Sequence, residues 1–325
     1  MLVDSPMDPL SDVLSLLKAR SYMCGGMDLG GEWAVRFARH EGIKCYAIVS
    51  GVCWLAMEGV AEPVHLEAGD CFLLPSGRPF TLASDLSLPA VDATTIFVRP
   101  LNGAIRTVNG GGGCFSVGGF ISLAGNHANI LLEVLPPIVH LRKEADKEAM
   151  RWSLERMRQE LLNPQPGGSL IAQQLATMML VQALRLHLAE GLGGGIGWLF
   201  ALADPQMSAA IQAMHQTPAY RWTLQELAER AGMSRSVFAL KFKQTVGASP
   251  MEYLARWRML LAGDRLANSR DSVAEISLAL GYESESAFST AFKRVMGSSP
   301  RQYSRGSAAV AAEAVRSDEM ELIAA

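Results

Sequence analysis

Apolar and polar positions change their rhythm along the 325 residues. Over 20–125, short apolar runs alternate with breaks carrying Gly or Pro. Strands are predicted at Ile43–Val49, Val52–Met57, Val64–Glu67, Cys71–Leu74 and Thr94–Val98, with turns at Ser50-Gly51, Glu58-Gly59, Ala68-Gly69-Asp70 and Pro75-Ser76-Gly77. Many short strands at such spacing make a β-sandwich or barrel. Further on the period lengthens to that of amphipathic helices. Met150, Leu154, Met157 and Leu161 form one near-heptad stripe; Leu170 or Ile171, Leu175, Met178 or Met179, and Leu186 form another. The run Asn163-Pro164-Gln165-Pro166-Gly167-Gly168 separates them. Such seams pack either on the β domain or on a second copy of the chain; the second option predicts a homodimer. Gly191 to Gly195 reads as an interdomain joint, and 306–325 as a disordered tail.

The last hundred residues repeat themselves. Gly232 aligns with Gly281, 49 residues on. After one inserted residue, Ser234, Phe238, Phe242, Gly247, Ser249, Pro250 and Tyr253 align with Ser284, Phe288, Phe292, Gly297, Ser299, Pro300 and Tyr303, each pair 50 apart. Each copy reads as helix, tight turn, helix. Thr223 and Ser272 cap the first helices, Gly232 and Gly281 supply the turns, and Ser234 and Ser284 cap the second helices. Phe238 with Phe242, and Phe288 with Phe292, are i,i+4 pairs that share a buried face. This is the helix-turn-helix plan, whose second helix enters the major groove. Between the copies, Pro250 starts a helix through Tyr253, Leu254, Trp257, Leu260, Leu261 and Leu266, a rod that would hold two reading heads about 34 Å apart on successive groove faces.

The faces opposite the phenylalanines carry Ser236, Ala239, Leu240 and Lys243 in the first copy, and Ser286, Ser289, Thr290 and Lys293 in the second, with Glu285 in its first turn. Small side chains approach base edges closely, so Ser236, Ala239, Leu240, Glu285, Ser286, Ser289 and Thr290 are the base-reading candidates. Arg235, Lys243, Lys293 and Arg301 are candidates for phosphate. Net charge is -3, but 204–305 hold 13 Lys+Arg against 9 Asp+Glu. A basic module joined to an acidic remainder fits a nucleic-acid footprint near the C-terminus.

The segments DPQMSAAIQAMH, RWTLQELAERAGMSRSVFALKFKQTVGASPMEYLARWRMLLA and VAEISLALGYESESAFSTAFKRVMGSSPRQY resemble the DNA-binding domain of the AraC/XylS family of bacterial transcription regulators. Upstream, CYAIVSGVCWLAM and LEAGDCFLLPSGRPF resemble the cupin-type effector domain of AraC-like regulators, as do CGGMDLGGEWAVRF and GGGCFSVGGFISL. The resemblance implies an α+β chain. A cupin-like β-barrel with a helical dimerisation segment (about 140–190) would occupy 1–200, and an all-α double helix-turn-helix domain 201–305. It implies a sequence-specific regulator, an activator, responding to a small-molecule effector in the barrel. Its partners would be promoter double-stranded DNA, a second copy of the chain and RNA polymerase. Many members carry Arg or Gln near the positions of Ala239 and Leu240, so here the first head would read more by shape and methyl contact.

Metal-binding cupins carry a His-x-His pair and later Glu and His; here His65 stands alone and Phe80 takes a place where histidine is common. No metal and no cofactor are therefore expected. Trp33, Tyr46, Trp54, Phe72 and Phe80 could line a pocket or simply form the core; no effector-contacting residue is assigned. Cys24, Cys45, Cys53, Cys71 and Cys114 contain no CxxC and read as small buried hydrophobes, with redox sensing as the alternative. The strongly apolar run Leu175 to Leu184 is far shorter than the roughly 20 residues of a membrane span, and the N-terminus lacks an apolar signal core. A cytoplasmic protein is expected. The rival functions are a cupin isomerase or oxygenase fused to a DNA-binding domain, a DNA-repair protein with an alkyl-acceptor cysteine, and a regulator that needs no effector. No nucleophile elbow, paired carboxylates or four-cysteine set supports the enzymes.

Overall fold

The computed structural model describes residues 8–16, 20–40, 42–97, 104–122, 135–141, 143–189 and 196–306, with the side chains of 20–24 and 122 excepted. The predicted joint at Gly191 to Gly195 and the tail beyond 306 lie outside the described residues. The chain divides into two compact units, 17–193 and 1–16 with 194–325.

The first unit is β-rich. Its strands are β1 (Arg20–Leu29), β2 (Ala34–Phe37), β3 (Ile43–Ser50), β4 (Val52–Met57), β5 (Val64–Glu67), β6 (Cys71–Leu74), β7 (Phe80–Ala83), β8 (Val91–Asp92), β9 (Ile105–Val108), β10 (Cys114–Ser122) and β11 (Val139–Leu141). They pair as a six-stranded sheet, β11-β6-β3-β10-β1-β9, and a five-stranded sheet, β5-β4-β7-β2-β8. One apolar core joins them: Leu29, Ile48, Phe72 and Leu74 from the first sheet meet Val35, Leu55, Leu66, Phe80 and Leu82 from the second. Residues Cys53, Leu55 and Met57 alternate inward along β4, the period of a half-buried strand. All four residues of β6 are buried, because helices cover the outer face of its sheet. The β3–β4 turn passes from one sheet to the other at Gly51. Its φ is +80, and a Cβ there would lie 2.0 Å from the carbonyl oxygen of Gly113. Only glycine fits so close an approach.

Four strand predictions agree with the fold within one residue; the fifth does not. Ala93–Ile96 is a helical turn, α2, rather than the start of a strand. Asp92 accepts from the Thr94 N–H at 2.9 Å and caps the turn, and this local bond outweighs the β-branched composition. Val98 lies outside the described residues. Of the aromatic pocket candidates, Trp33, Phe72 and Phe80 fill the core with Tyr46 packed on it, Phe80 stacking on Phe37 at 4.6 Å. Trp54 instead packs on His65 at 4.7 Å.

Helices α3 (Glu144–Leu162) and α4 (Gly168–Ala189) follow, broken at the Pro-Gly run. The first stripe is spent inside the unit and the second only in part. Met150, Leu154, Met157 and Leu161 are all buried; of the second stripe Leu175 and Met179 are buried, Leu186 is half-buried, and Leu170, Ile171 and Met178 are exposed. The α3 stripe is thus packing within one chain and is not a surface seam. Outside the stripes, Trp152 and Leu162 are exposed apolar residues of the hairpin as well.

The second unit is helical: α1 (Pro9–Leu16), α5 (Trp198–Ala201), α6 (Pro205–Gln216), α7 (Leu224–Arg230), α8 (Arg235–Val246), α9 (Pro250–Asn268), α10 (Val273–Ala279) and α11 (Glu285–Met296). Residues 300–306 are helical as well. The membership of α1 is not foreseen by the sequence. Leu10, Val13 and Leu14 are buried, and the Asp12 carboxylate lies 3.1 Å from His215 Nδ1 on α6. The other ring nitrogen of His215 is 2.8 Å from the Tyr253 hydroxyl on α9, and Trp257 stacks on the imidazole at 3.8 Å. Burial pulls the His215 pKa down against the opposing pull of Asp12, which favours the neutral ring. No described helix is long and apolar enough to cross a membrane.

Candidate nucleic-acid interface

Two structural cassettes carry the sequence repeat. In each, a short helix is opened by a capping box: Thr223 with Glu226 on α7, and Ser272 with Glu275 on α10. A glycine turn leads to the second helix, α8 or α11. Phe238 and Phe242 lie 5.5 Å apart, Phe288 and Phe292 5.7 Å apart, and all four are fully buried. The repeated tyrosines complete the anchors edge-on, Tyr253 at 5.9 Å from Phe242 and Tyr303 at 5.5 Å from Phe292. These aromatics fix which side of each second helix turns outward.

Ser236, Leu240 and Lys243 are exposed on α8, with Ala239 half-buried. Glu285, Ser286, Thr290 and Lys293 are exposed on α11, with Ser289 half-buried. Arg235 and Arg301 are exposed too. Leu240, a large apolar side chain, is 61% exposed. Two details refine the sequence picture. The Thr290 hydroxyl donates to the Ser286 carbonyl at 3.0 Å, so what it offers outward is its acceptor lone pair and methyl group. Ser284 accepts from the Ala287 N–H at 3.2 Å, whereas Ser234 holds the N-cap position without a side-chain cap bond. Lys241, only two residues from Lys243, is tied to Asp204 at 2.5 Å and belongs to the back of the helix.

Sequence reasoning passed over Gln244 and Arg294, which are exposed beside Lys243 and Lys293 at matching repeat positions. The 50-residue offset alone could have found them. In the first unit, a cleft of about 470 Å³ is bordered by Pro63, His65, Glu67, Asp70, His140 and Lys147. Among the described residues no group of three His, Cys, Asp or Glu could hold a metal ion. Cys45, Cys53, Cys71 and Cys114 are buried thiols outside any disulfide.

Comparison with known proteins agrees with this two-part layout. A cupin family profile matches residues 8–189, and a helix-turn-helix domain profile matches 227–306. An AraC-like transcription regulator of Streptomyces lividans is 43% identical over 298 residues, covering 91% of this chain and 98% of its own. This chain belongs to the AraC-like transcription regulators. A further member, the HTH-type transcriptional regulator AlkR of Acinetobacter baylyi, is 31% identical over 85% of this chain and 92% of its own. Among solved structures, the DNA-binding domain of AdpA in complex with target DNA covers 32% of this chain and 92% of its own, at 32% identity and a TM-score of 0.30. In this AraC-like regulator the cupin domain thus precedes a DNA-binding domain with two helix-turn-helix units.

Proposed function

We propose that this chain activates transcription by reading two short boxes in a promoter with α8 and α11, under the control of a small molecule bound by the cupin domain. The observation that carries the proposal is the pair of Phe-anchored helices. Each presents small side chains flanked by exposed Lys or Arg, the combination that lets a helix enter a major groove and neutralise its walls. Ser236, Ala239, Leu240, Glu285, Ser286, Ser289 and Thr290 read bases; Arg235, Lys243, Lys293 and Arg301 hold phosphates. The boundary between the two activities falls near residue 200. The chain acts as a homodimer through the exposed Trp152, Leu162, Leu170, Ile171 and Met178, engages RNA polymerase at the promoter, and catalyses no reaction of its own. The effector exerts control by binding two arrangements of the protein with different affinity.

Genomic selection tests this directly. Purified protein is incubated with sheared DNA of its own organism and the retained fragments are sequenced. A few promoters with two short boxes about one turn apart are expected. Diffuse, sequence-blind retention, with or without small molecules suggested by neighbouring genes, would reject it. A second result concerns the phosphate contacts. Lys243→Ala and Lys293→Ala should each weaken binding to every sequence alike and reduce the slope of log K against log salt by about one. A salt titration with an unchanged slope removes that lysine from the backbone set.

A further inference from the structure

The two reading heads touch each other directly, in addition to sharing α9. The contact is made by the one place where the repeat is out of step. The second turn, Gly281-Tyr282-Glu283, is a residue longer than the first, Gly232-Met233. That longer turn lies against the segment leading into α7. A Cβ at Gly281 would sit 2.2 Å from the carbonyl oxygen of Ala219, with φ already at +80, so the two backbones meet there with no room for a side chain. Beside it, Arg258 of α9 donates from Nε to the Pro218 carbonyl at 2.6 Å and from Nη2 to the Tyr220 carbonyl at 2.8 Å. The same guanidinium lies 5.7 Å from the centre of the Tyr282 ring. One planar fork therefore holds the entry to the first head by two hydrogen bonds and the turn of the second by its face. Outside, Arg221 and Glu283 pair at 2.7 Å, but both are 73% exposed, so the pair is a screened accessory.

We propose that Arg258 and Gly281 are positioning residues that lock the two heads into one rigid body, so the protein accepts a single spacing between its DNA boxes. Helix α9 enters both heads, through Tyr253 in the first and Met259, Ala262 and Leu266 in the second, so the freedom left to limit is flexing between them. The clamp removes that freedom before DNA arrives, and the second head adds its full effect only at the matched separation, where linked modules gain about a hundredfold or more over one. A mismatched spacing forfeits that gain. The proposal rests on α8 and α11 being the DNA-reading helices, and its test separates the two ideas.

The test uses the full chain. Spin labels on Val237→Cys and Ala287→Cys, exposed and equivalent positions of α8 and α11, report the distance between heads without DNA. A narrow distribution is expected in the parent, broadened or displaced in Arg258→Lys and in Gly281→Ala. Arg258→Lys keeps the charge and loses the fork, which guards against a variant that merely unfolds; circular dichroism confirms the fold. Binding is then measured on a selected operator with one box, and with two boxes moved through about 9 to 12 base pairs centre to centre. One-box affinity should hold within about twofold, while the preference for native spacing falls about tenfold. A parent distribution that is already broad overturns the clamp. So does a distribution and spacing profile unchanged in both variants. Loss of one-box binding in the parent overturns the DNA-reading assignment instead, leaving the label distances to decide the clamp.

Discussion

Phe292→Ala is expected to unfold the second reading head and abolish specific DNA binding. The ring is fully buried and packs edge-on against Tyr303 at 5.5 Å and beside Phe288 at 5.7 Å. Truncating a buried phenylalanine costs about 3–5 kcal/mol, from lost transfer energy and the cavity left behind. Its cluster is small, formed by Met259, Ala262, Leu266, Ile276, Leu280 and Phe288 with Tyr303, so few neighbours can close the gap. Domains hold only about 5–15 kcal/mol in total, which makes such a loss a large share. Leu240→Ala is the matched control, because an exposed substitution usually stays within about 0.5 kcal/mol. Thermal melts of the two variants check the expectation; a Phe292→Ala melt that overlays the parent would refute the anchor role.

The cupin domain has its own point of failure at Asp70. This carboxylate is buried in the turn before β6 and accepts from the Glu67 N–H at 3.0 Å. It also meets His140 of β11 at 2.9 Å and Lys147 of α3 at 3.1 Å, so one side chain staples a turn, a strand and a helix. Burial pushes the Asp70 pKa up, but the Glu67 N–H, His140 and Lys147 outweigh it and hold the group below its ordinary 3.8. Removing one partner of a buried ion pair costs about 3–5 kcal/mol, because the remaining charges lose their compensation. Asp70→Ala should therefore lower the denaturant midpoint of the cupin domain markedly at pH 7. A depressed carboxylate stabilises the fold above its unfolded pKa and loses that contribution as pH falls through the lower, folded one. The gap between parent and variant should thus shrink below pH 3.8. Denaturation followed by tryptophan fluorescence at several pH values measures it, and a gap that stays constant to acid pH would show that the charge is not what the staple supplies.

The helix-turn-helix units were legible because everything that makes them is local. Capping boxes, turn glycines and i,i+4 phenylalanines act within a few residues, and the duplication shows each signal twice. The strands with clean alternation, such as Val52–Met57, were legible for the same reason. Strand β10 was not, since its glycines weaken the alternating pattern; Gly118 is there because a Cβ would strike the Cys45 carbonyl oxygen at 2.4 Å, a demand of the neighbouring strand. The stripe on α3 was read correctly as apolar, but periodicity cannot say which surface covers it. In the interface, composition and spacing revealed the outward faces of α8 and α11. They could not reveal that Arg258, inside an ordinary amphipathic helix, reaches carbonyls 38 and 40 residues away.

The position of α1 has a consequence for how the chain is made. Its buried face, Leu10, Val13 and Leu14, leaves the ribosome before the cupin domain, while the helices it packs on, α6 with His215 and α9, emerge after that domain. At about 5–20 residues per second, synthesis leaves that helix waiting for roughly ten to fifty seconds. Throughout that interval the entire cupin domain is translated and can fold. Order of synthesis and order of assembly are therefore opposed in this protein: the DNA-binding unit is begun before the cupin domain and completed only after it.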